Sequence, residues 1–266
     1  MKIERVRVFG FEPAFRGMRN PQDSWDKGDS RFYQPSVNYY SNVDWRTVVA
    51  PEFPEIGPAD LHLASTLIRR GSEHRKFLRQ IVVWMDITIP RYVWQELDTY
   101  KVATVRNSCS TMNKLGARDL EHSDFELPIQ ELTLERVNAL GRLLREAKEE
   151  HQGVREARRQ LKNELPEGFL QMATYTMSYE TALSALLQRE NHRLPEWRLA
   201  SEGSITAFLM SLPYMQDFYK AATFKRDALR AATNLLQDLI TRVATLQGMV
   251  MLDDLDAVMA RLKDAG

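Results

Sequence analysis

Charged and apolar residues alternate from Lys2 to Phe11, with Ile3, Val6, Val8 and Phe9 between polar positions, and this period of two predicts a strand with one buried face. From Glu12 to Pro58 no period holds. Gly, Pro, Asn, Asp and the aromatics Trp25, Phe32, Tyr33, Tyr39, Tyr40 and Trp45 fill the segment, so residues 12–58 read as a long aromatic loop. Loops of such length in compact domains usually carry function or are covered by a partner. Two readings stand side by side. The segment is a lid over an anionic ligand, using Arg16, Arg19, Lys27 and Arg31, or it is an ordered extension packed on the surface or on another subunit.

Pro58-Ala59-Asp60 opens a helix that runs to Arg70 and stops at Gly71, with Asp60 near the positive end of the helix dipole. The β-branched run Ile81, Val82, Val83, Ile87, Thr88, Ile89 predicts a core strand. Pro90 then pre-sets φ for a helix over Arg91–Thr99. Val102–Val105 reads as a short strand and Ser110–Leu115 as a helical turn. From Leu132 to Leu161 the pattern is helical, with Leu134, Val137, Leu140 and Leu144 as its apolar stripe, and the charge run Arg142–Lys162 reads as a solvated or intersubunit face. Helices are expected again over Tyr179–Arg189 and Pro195–Met210. Lys225–Lys263 reads as a helical hairpin broken near Gly248, with Leu229, Leu235, Leu236, Leu239, Ile240 and Val243 on one face. The fold class expected is α/β (α+β), a core sheet with many helices and a C-terminal helical hairpin. Residues 1–222 form one domain in this reading and 223–266 a C-terminal helical extension.

Composition narrows the partners. The 36 basic and 36 acidic side chains cancel, which argues against a nucleic-acid polymer while leaving room for a local basic groove around one nucleotide. One cysteine, Cys109, excludes an intrachain disulfide and a multi-cysteine metal site. The N-terminal residues lack the apolar core of a signal peptide, and no stretch approaches the ~20 apolar residues of a membrane helix. A soluble cytoplasmic protein is expected.

Chemistry concentrates in two places: Ser72–Met112, a strand, a proline-started helix and a polar crossing dense in hydroxyls, and Arg189–Trp197, RENHRLPEW. Together they resemble the signature regions of the flavin-dependent thymidylate synthases. In that family a histidine precedes a strand, and a helix started by proline leads into Arg-His-Arg-x-x-Ser and then Asn-Glu-x-Ser-x-Arg. Here His74 takes the upstream histidine's place, and Ile87–Pro90 matches the strand-to-proline step. Arg-His-Arg falls on Thr99, Tyr100 and Lys101, and its serine on Thr104. Asn107-Ser108-Cys109-Ser110 is similar to Asn-Glu-x-Ser with one residue inserted; the glutamate becomes Ser108 and the closing arginine Met112. Downstream, Lys162 stands four residues before Pro166, where the family has a phosphate-gripping arginine, and Arg189, His192 and Glu196 match its later Arg…His…Glu segment. The resemblance covers roughly residues 72–200.

The resemblance implies a homotetramer holding flavin adenine dinucleotide (FAD) between subunits, with methylenetetrahydrofolate and NADPH as co-substrates for methylation of a pyrimidine deoxynucleotide. It implies that Thr104, Asn107, Ser108, Ser110, Lys162 and Arg189 border the nucleotide and that Tyr100 and Lys101 border the flavin. His74 becomes the catalytic candidate at the flavin edge. Lysine in place of arginine at Lys101 and Lys162 keeps charge but loses the planar fork, so the phosphate grip weakens. Threonine at Thr99 deletes a charge. A changed nucleotide preference, poor turnover, or a non-catalytic binding or structural oligomeric protein on the same scaffold all follow from these substitutions.

Each residue also has a plainer reading. His74 between Glu73 and Arg75 fits a surface histidine, Tyr100 an interior tyrosine, and Ser108, Ser110 and Thr111 a helix cap. Arg189 and Glu196 fit a structural ion pair. Cys109 reads as buried and inert. Pro195 disturbs the i, i+4 spacing of His192 and Glu196, so no metal site is expected.

Overall fold

The computed structural model describes residues 1–32, 54–111 and 115–247. Four strands, β1 (Lys2–Phe9), β2 (Val82–Pro90), β3 (Val105–Ser108) and β4 (Leu170–Ser178), form one antiparallel sheet in the order β1-β2-β4-β3. The β-branched run makes β2 a central strand, hydrogen-bonded on both sides. Its residues Val83, Met85 and Ile87 stand opposite Met177, Tyr175 and Ala173 of β4, and all six are buried. The alternate residues form an open face, where Trp84 is 50% exposed, Phe9 meets it edge-on at 5.7 Å, and Thr174 donates to Asp86 at 2.6 Å.

Helices cover the other face. α1 (Phe11–Arg19), α2 (Pro58–Arg69), α3 (Arg91–Leu97), α6 (Tyr179–Arg189), α7 (Ile205–Ser211) and the start of α8 (Met215–Gln247) share one core with the sheet. α4 (Glu131–Glu149) and α5 (Val154–Glu164) pack on each other over a smaller core of Leu115, Val137, Leu144, Leu161 and Leu165. Gly10 turns β1 into α1 at φ 94°, and a Cβ there would sit 2.1 Å from the Gln80 carbonyl oxygen, so only glycine fits.

The structure corrects several sequence expectations. The presumed loop 12–58 contains α1, whose Phe11, Ala14, Phe15 and Met18 recur at i, i+3, i+4, i+7 and are buried. Its residues 33–53, including Tyr33, Tyr39, Tyr40 and Trp45, lie outside the described residues. The short third strand begins at Val105 instead of Val102. Strand β4 was not anticipated, although Ala173, Tyr175 and Met177 alternate with threonines. The helix expected over Leu132–Leu161 is two helices, since His151 and Gly153 adopt positive φ between them. Turns replace most of the expected Pro195–Met210 helix, leaving α7. α8 starts ten residues before Lys225 and runs unbroken through residues 222 and 223 to Gln247. The second arm of the expected hairpin lies outside the described residues, as do residues 112–114 of the turn expected at Ser110–Leu115. Leu229, Leu235, Leu236 and Leu239 of α8 are exposed.

Candidate functional site

After α3 ends, the chain crosses from Asp98 to Val105 over the start of α6, and threonine hydroxyls pin it there. Thr99 donates to the Glu96 carbonyl at 2.7 Å, Thr104 to the Tyr100 carbonyl at 2.6 Å, and Thr181 to the Val102 carbonyl at 2.7 Å. Ala103 takes φ 54° inside this bend. Ser178 caps α6 by accepting the Thr181 N–H at 3.2 Å.

A cleft of about 330 Å³ opens between crossing and helix. Thr99, Tyr100, Lys101 and Val102 form one wall, and Arg79 stands with them on the rim. Glu180, Thr181, Ser184 and Gln188 come from α6. Glu180, Ser184 and Gln188 repeat at i, i+4, i+8 on a helix whose Ala182, Leu183, Ala185 and Leu186 are buried, so they make a polar stripe on an otherwise apolar element. The stripe is visible in the sequence as a spacing, but only the fold shows that it faces the crossing. Arg79 was also missed, as was Arg75, whose Nε lies 2.9 Å from Glu180 in a largely buried ion pair.

At one end of the cleft Arg189 sits between two rings, 5.8 Å from the Tyr100 centroid and 5.2 Å from that of Trp197. Its Nε donates to the Tyr100 hydroxyl at 3.1 Å, and that hydroxyl donates to Gln188 Oε1 at 3.1 Å. Its NH1 contacts the Glu96 carboxylate and stands 2.7 Å from His192 Nε2. Burial works against the charge of Arg189, but Tyr100 and Glu96 outweigh it and hold its pKa above the ordinary value. The ion pair considered for Arg189 and Glu196 does not form. Glu196 accepts instead from the Tyr92 hydroxyl, whose pKa is raised by burial and by that carboxylate.

Of the sequence candidates, the structure places Tyr100 and Lys101 in the lining of this cleft; Arg189 lies outside the lining, bonded to the Tyr100 hydroxyl, and Thr104 holds the backbone of the crossing. Other candidates stand apart. His74 lies exposed on the turn after Gly71, next to Arg75 but outside the cleft lining. Asn107 and Ser108 are exposed on edge strand β3, and Ser110 follows it. Lys162 is carried by α5, which packs on α4. Cys109 is exposed, contrary to the buried position expected; its backbone N–H continues the ladder to Met172 at 2.8 Å. Arg19 is withdrawn from any ligand: buried, it pairs with Asp60 at 2.6 Å, and Asp60 also accepts from the Ser30 hydroxyl at 2.6 Å. Arg16 stacks on Trp25 at 5.3 Å. No group of three metal-ligating side chains occurs among the described residues, and none of their helices is long and apolar enough to cross a membrane.

Neither a protein-family model nor a curated protein sequence matches the chain. Solved structures do. The flavin-dependent thymidylate synthase ThyX from Helicobacter pylori, complexed with FAD and dUMP, superposes with a TM-score of 0.56 at 14% identity over 82% of this chain and 97% of that one. A second structure of that enzyme with FAD and dUMP gives 0.54 at 14% identity over 84% and 99%. At this identity the likeness concerns architecture, and in architecture the chain has the fold of the flavin-dependent thymidylate synthases.

Proposed function

We propose that this protein binds a flavin and a pyrimidine nucleotide and carries out flavin-dependent methyl transfer to a pyrimidine deoxynucleotide. One observation carries the reading. The cleft holds Tyr100 and Lys101, the positions that the resemblance places beside the flavin, with a second cation at Arg79 and hydroxyls at Thr181 and Ser184. The ligands of the structural neighbours, FAD and dUMP, are of the class such a cleft suits.

The donor set fits part of a flavin nucleotide. Arg79 and Lys101 supply charge for phosphate, Tyr100 offers a π face, and the Thr181 hydroxyl fixes the crossing to α6 through the Val102 carbonyl. Bound flavin supplies the one-carbon and hydride chemistry, with methylenetetrahydrofolate and NADPH as proposed co-substrates. The protein's share is binding, orientation and charge placement. Arg189 fixes the Tyr100 hydroxyl, so the ring keeps one orientation toward the cleft. Asn107, Ser108, Ser110 and Lys162 would serve the nucleotide, and His74 the flavin edge. These residues lie outside the lining of the cleft in one chain, so this reading requires a homo-oligomer, a tetramer, whose neighbouring copies complete each site.

A second reading, a flavin- or nucleotide-binding protein without turnover, is favoured by the Arg189–Glu96 contact, which already occupies the guanidinium. Incubating FAD-loaded protein with dUMP, methylenetetrahydrofolate and NADPH separates the two. Thymidylate formed over many turnovers supports the enzyme. Flavin retained with no thymidylate leaves the binding protein.

A further inference from the structure

The two ends of α8 have different surroundings. Its start belongs to the main core, where Met215, Phe218 and Ala221 are buried and the helix packs on α2, α6 and α7. Arg69, the last residue of α2, stacks on Phe224 at 4.6 Å. The helix then continues to Gln247, about 35 Å further, and no side chain from Phe224 to Arg242 is buried. Leu229, Leu235, Leu236 and Leu239 are 51%, 71%, 43% and 56% exposed. A projecting helix of this length is marginal in water unless its apolar face is covered.

The spacing on that face identifies what covers it. Leu229, Ala232, Leu236 and Leu239 alternate steps of three and four, the seam of a helix that packs on another helix, and Leu235 and Ile240 flank them. On a helical wheel the six span an arc of about 140°. The charged residues between Leu229 and Ile240, Arg230 and Asp238, fall outside it. A bilayer surface is a poorer match, because the opposite face mixes Asp227, Asn234, Asp238 and Thr241 with Arg230 where anionic lipid attracts a basic run. A second copy presents the same stripe, so a two-fold pairing is self-complementary. With 36 basic and 36 acidic side chains, copies of this chain meet without net repulsion.

Charge also sets the direction. Lys225 lies in line with the stripe, one turn before Leu229. In a parallel pair it would face its own copy across the seam, with Arg226 and Arg230 repeated alongside. An antiparallel pair moves these cations to opposite ends.

We propose that α8 is a homotypic docking helix, its Leu229–Ile240 stripe pairing antiparallel with the same stripe of a second copy of this chain. The surface lies apart from the cleft and depends on neither the flavin reading nor the tetramer.

Sedimentation velocity of the full chain tests it, comparing wild type with Leu235→Glu/Leu239→Glu. Both leucines are more than half exposed, so the substitutions leave the core of the single chain intact, which an unchanged near-ultraviolet dichroism spectrum checks. Wild type is expected to have twice the mass of the variant. Should the double variant fail to fold, Leu235→Lys takes its place. Wild type sedimenting as a single copy, or a folded variant that keeps the wild-type mass, overturns the proposal and leaves the stripe to other residues of the chain or to another partner. Direction is read by pulsed electron paramagnetic resonance with a nitroxide on the Cys109→Ser/Asp227→Cys protein, since Asp227 is exposed on the opposite face. A separation above about 30 Å is expected for the antiparallel pair, and one of about 20 Å would mean a parallel pair and overturn the arrangement.

Discussion

Arg189 and Glu96 close on each other behind Tyr100, the glutamate reaching from α3 and the arginine from the last turn of α6. The same guanidinium donates to the Tyr100 hydroxyl at 3.1 Å, so Arg189 is held from two sides by groups of its own chain. If Arg189 takes the nucleotide anion as proposed, that anion competes with Glu96, whose side chain is 35% exposed.

Replacing that carboxylate exposes the competition. Glu96→Gln is expected to tighten dUMP binding by roughly two- to fivefold, the worth of a partly exposed ion pair. Titration of both proteins at low salt reads the change, and unaltered affinity would mean that Arg189 serves the fold alone.

A different outcome is expected at the buried pair Arg19–Asp60. Asp60 also takes backbone N–H bonds from Asp29 and Ser30 at 3.2 and 3.0 Å, which fastens the chain after α1 to the start of α2. Asp60→Ala leaves Arg19 buried without its counter-charge and is expected to cost about 3–5 kcal/mol, read by chemical denaturation. Flavin and nucleotide affinity of the folded fraction should stay at wild-type level. A selective loss of ligand affinity in Arg19→Ala would return that arginine to the site.

Gly10 gives a backbone test. With φ 94° and the Gln80 oxygen 2.1 Å from where a Cβ would be, Gly10→Ala is expected to destabilise by about 2 kcal/mol or more, with a matching fall in Tm by calorimetry. An unchanged Tm would show that the β1–α1 turn relaxes freely.

Alkaline stability follows from Tyr175. Burial is the main cause that pushes its phenol up to about 12, from an ordinary 10.0. The folded chain thus holds a proton that the unfolded chain releases first. The stability this provides is complete below pH 10 and is lost as pH rises toward 12. The Tyr175→Phe protein should lose less stability across that window, as measured by urea unfolding at fixed pH steps. An identical slope in both proteins would contradict the assignment.

The elements that a single strong period marks were legible. The β-branched run Ile81–Ile89 and the proline step at Pro90 gave β2 and α3 because strand propensity and φ restriction act locally. α1 was hidden because its four apolar positions stand among Gly, Pro, Arg and Glu, and it gains its helix from burial against Phe77, α2 and Tyr179 at the start of α6 instead of from propensity. β4 was hidden because threonine and methionine alternate less visibly than valine and aspartate, though pairing on both edges makes it central. For the site, Tyr100 and Lys101 came from motif position, while Glu180, Ser184 and Gln188 required knowing which face of α6 meets the crossing. That is tertiary information. The withdrawal of Arg19 is of the same kind, since its partner is 41 positions away.

The central claim is that the Arg79–Lys101 cleft takes a flavin phosphate, and one spectrum tests it. Wild type and Arg79→Ala/Lys101→Ala are each saturated with FAD, desalted and scanned in the visible. Flavin bands retained by wild type and lost from the double variant, with unchanged circular dichroism, are the result expected. Wild type emerging colourless, or a variant that keeps flavin as well as wild type, would contradict the account.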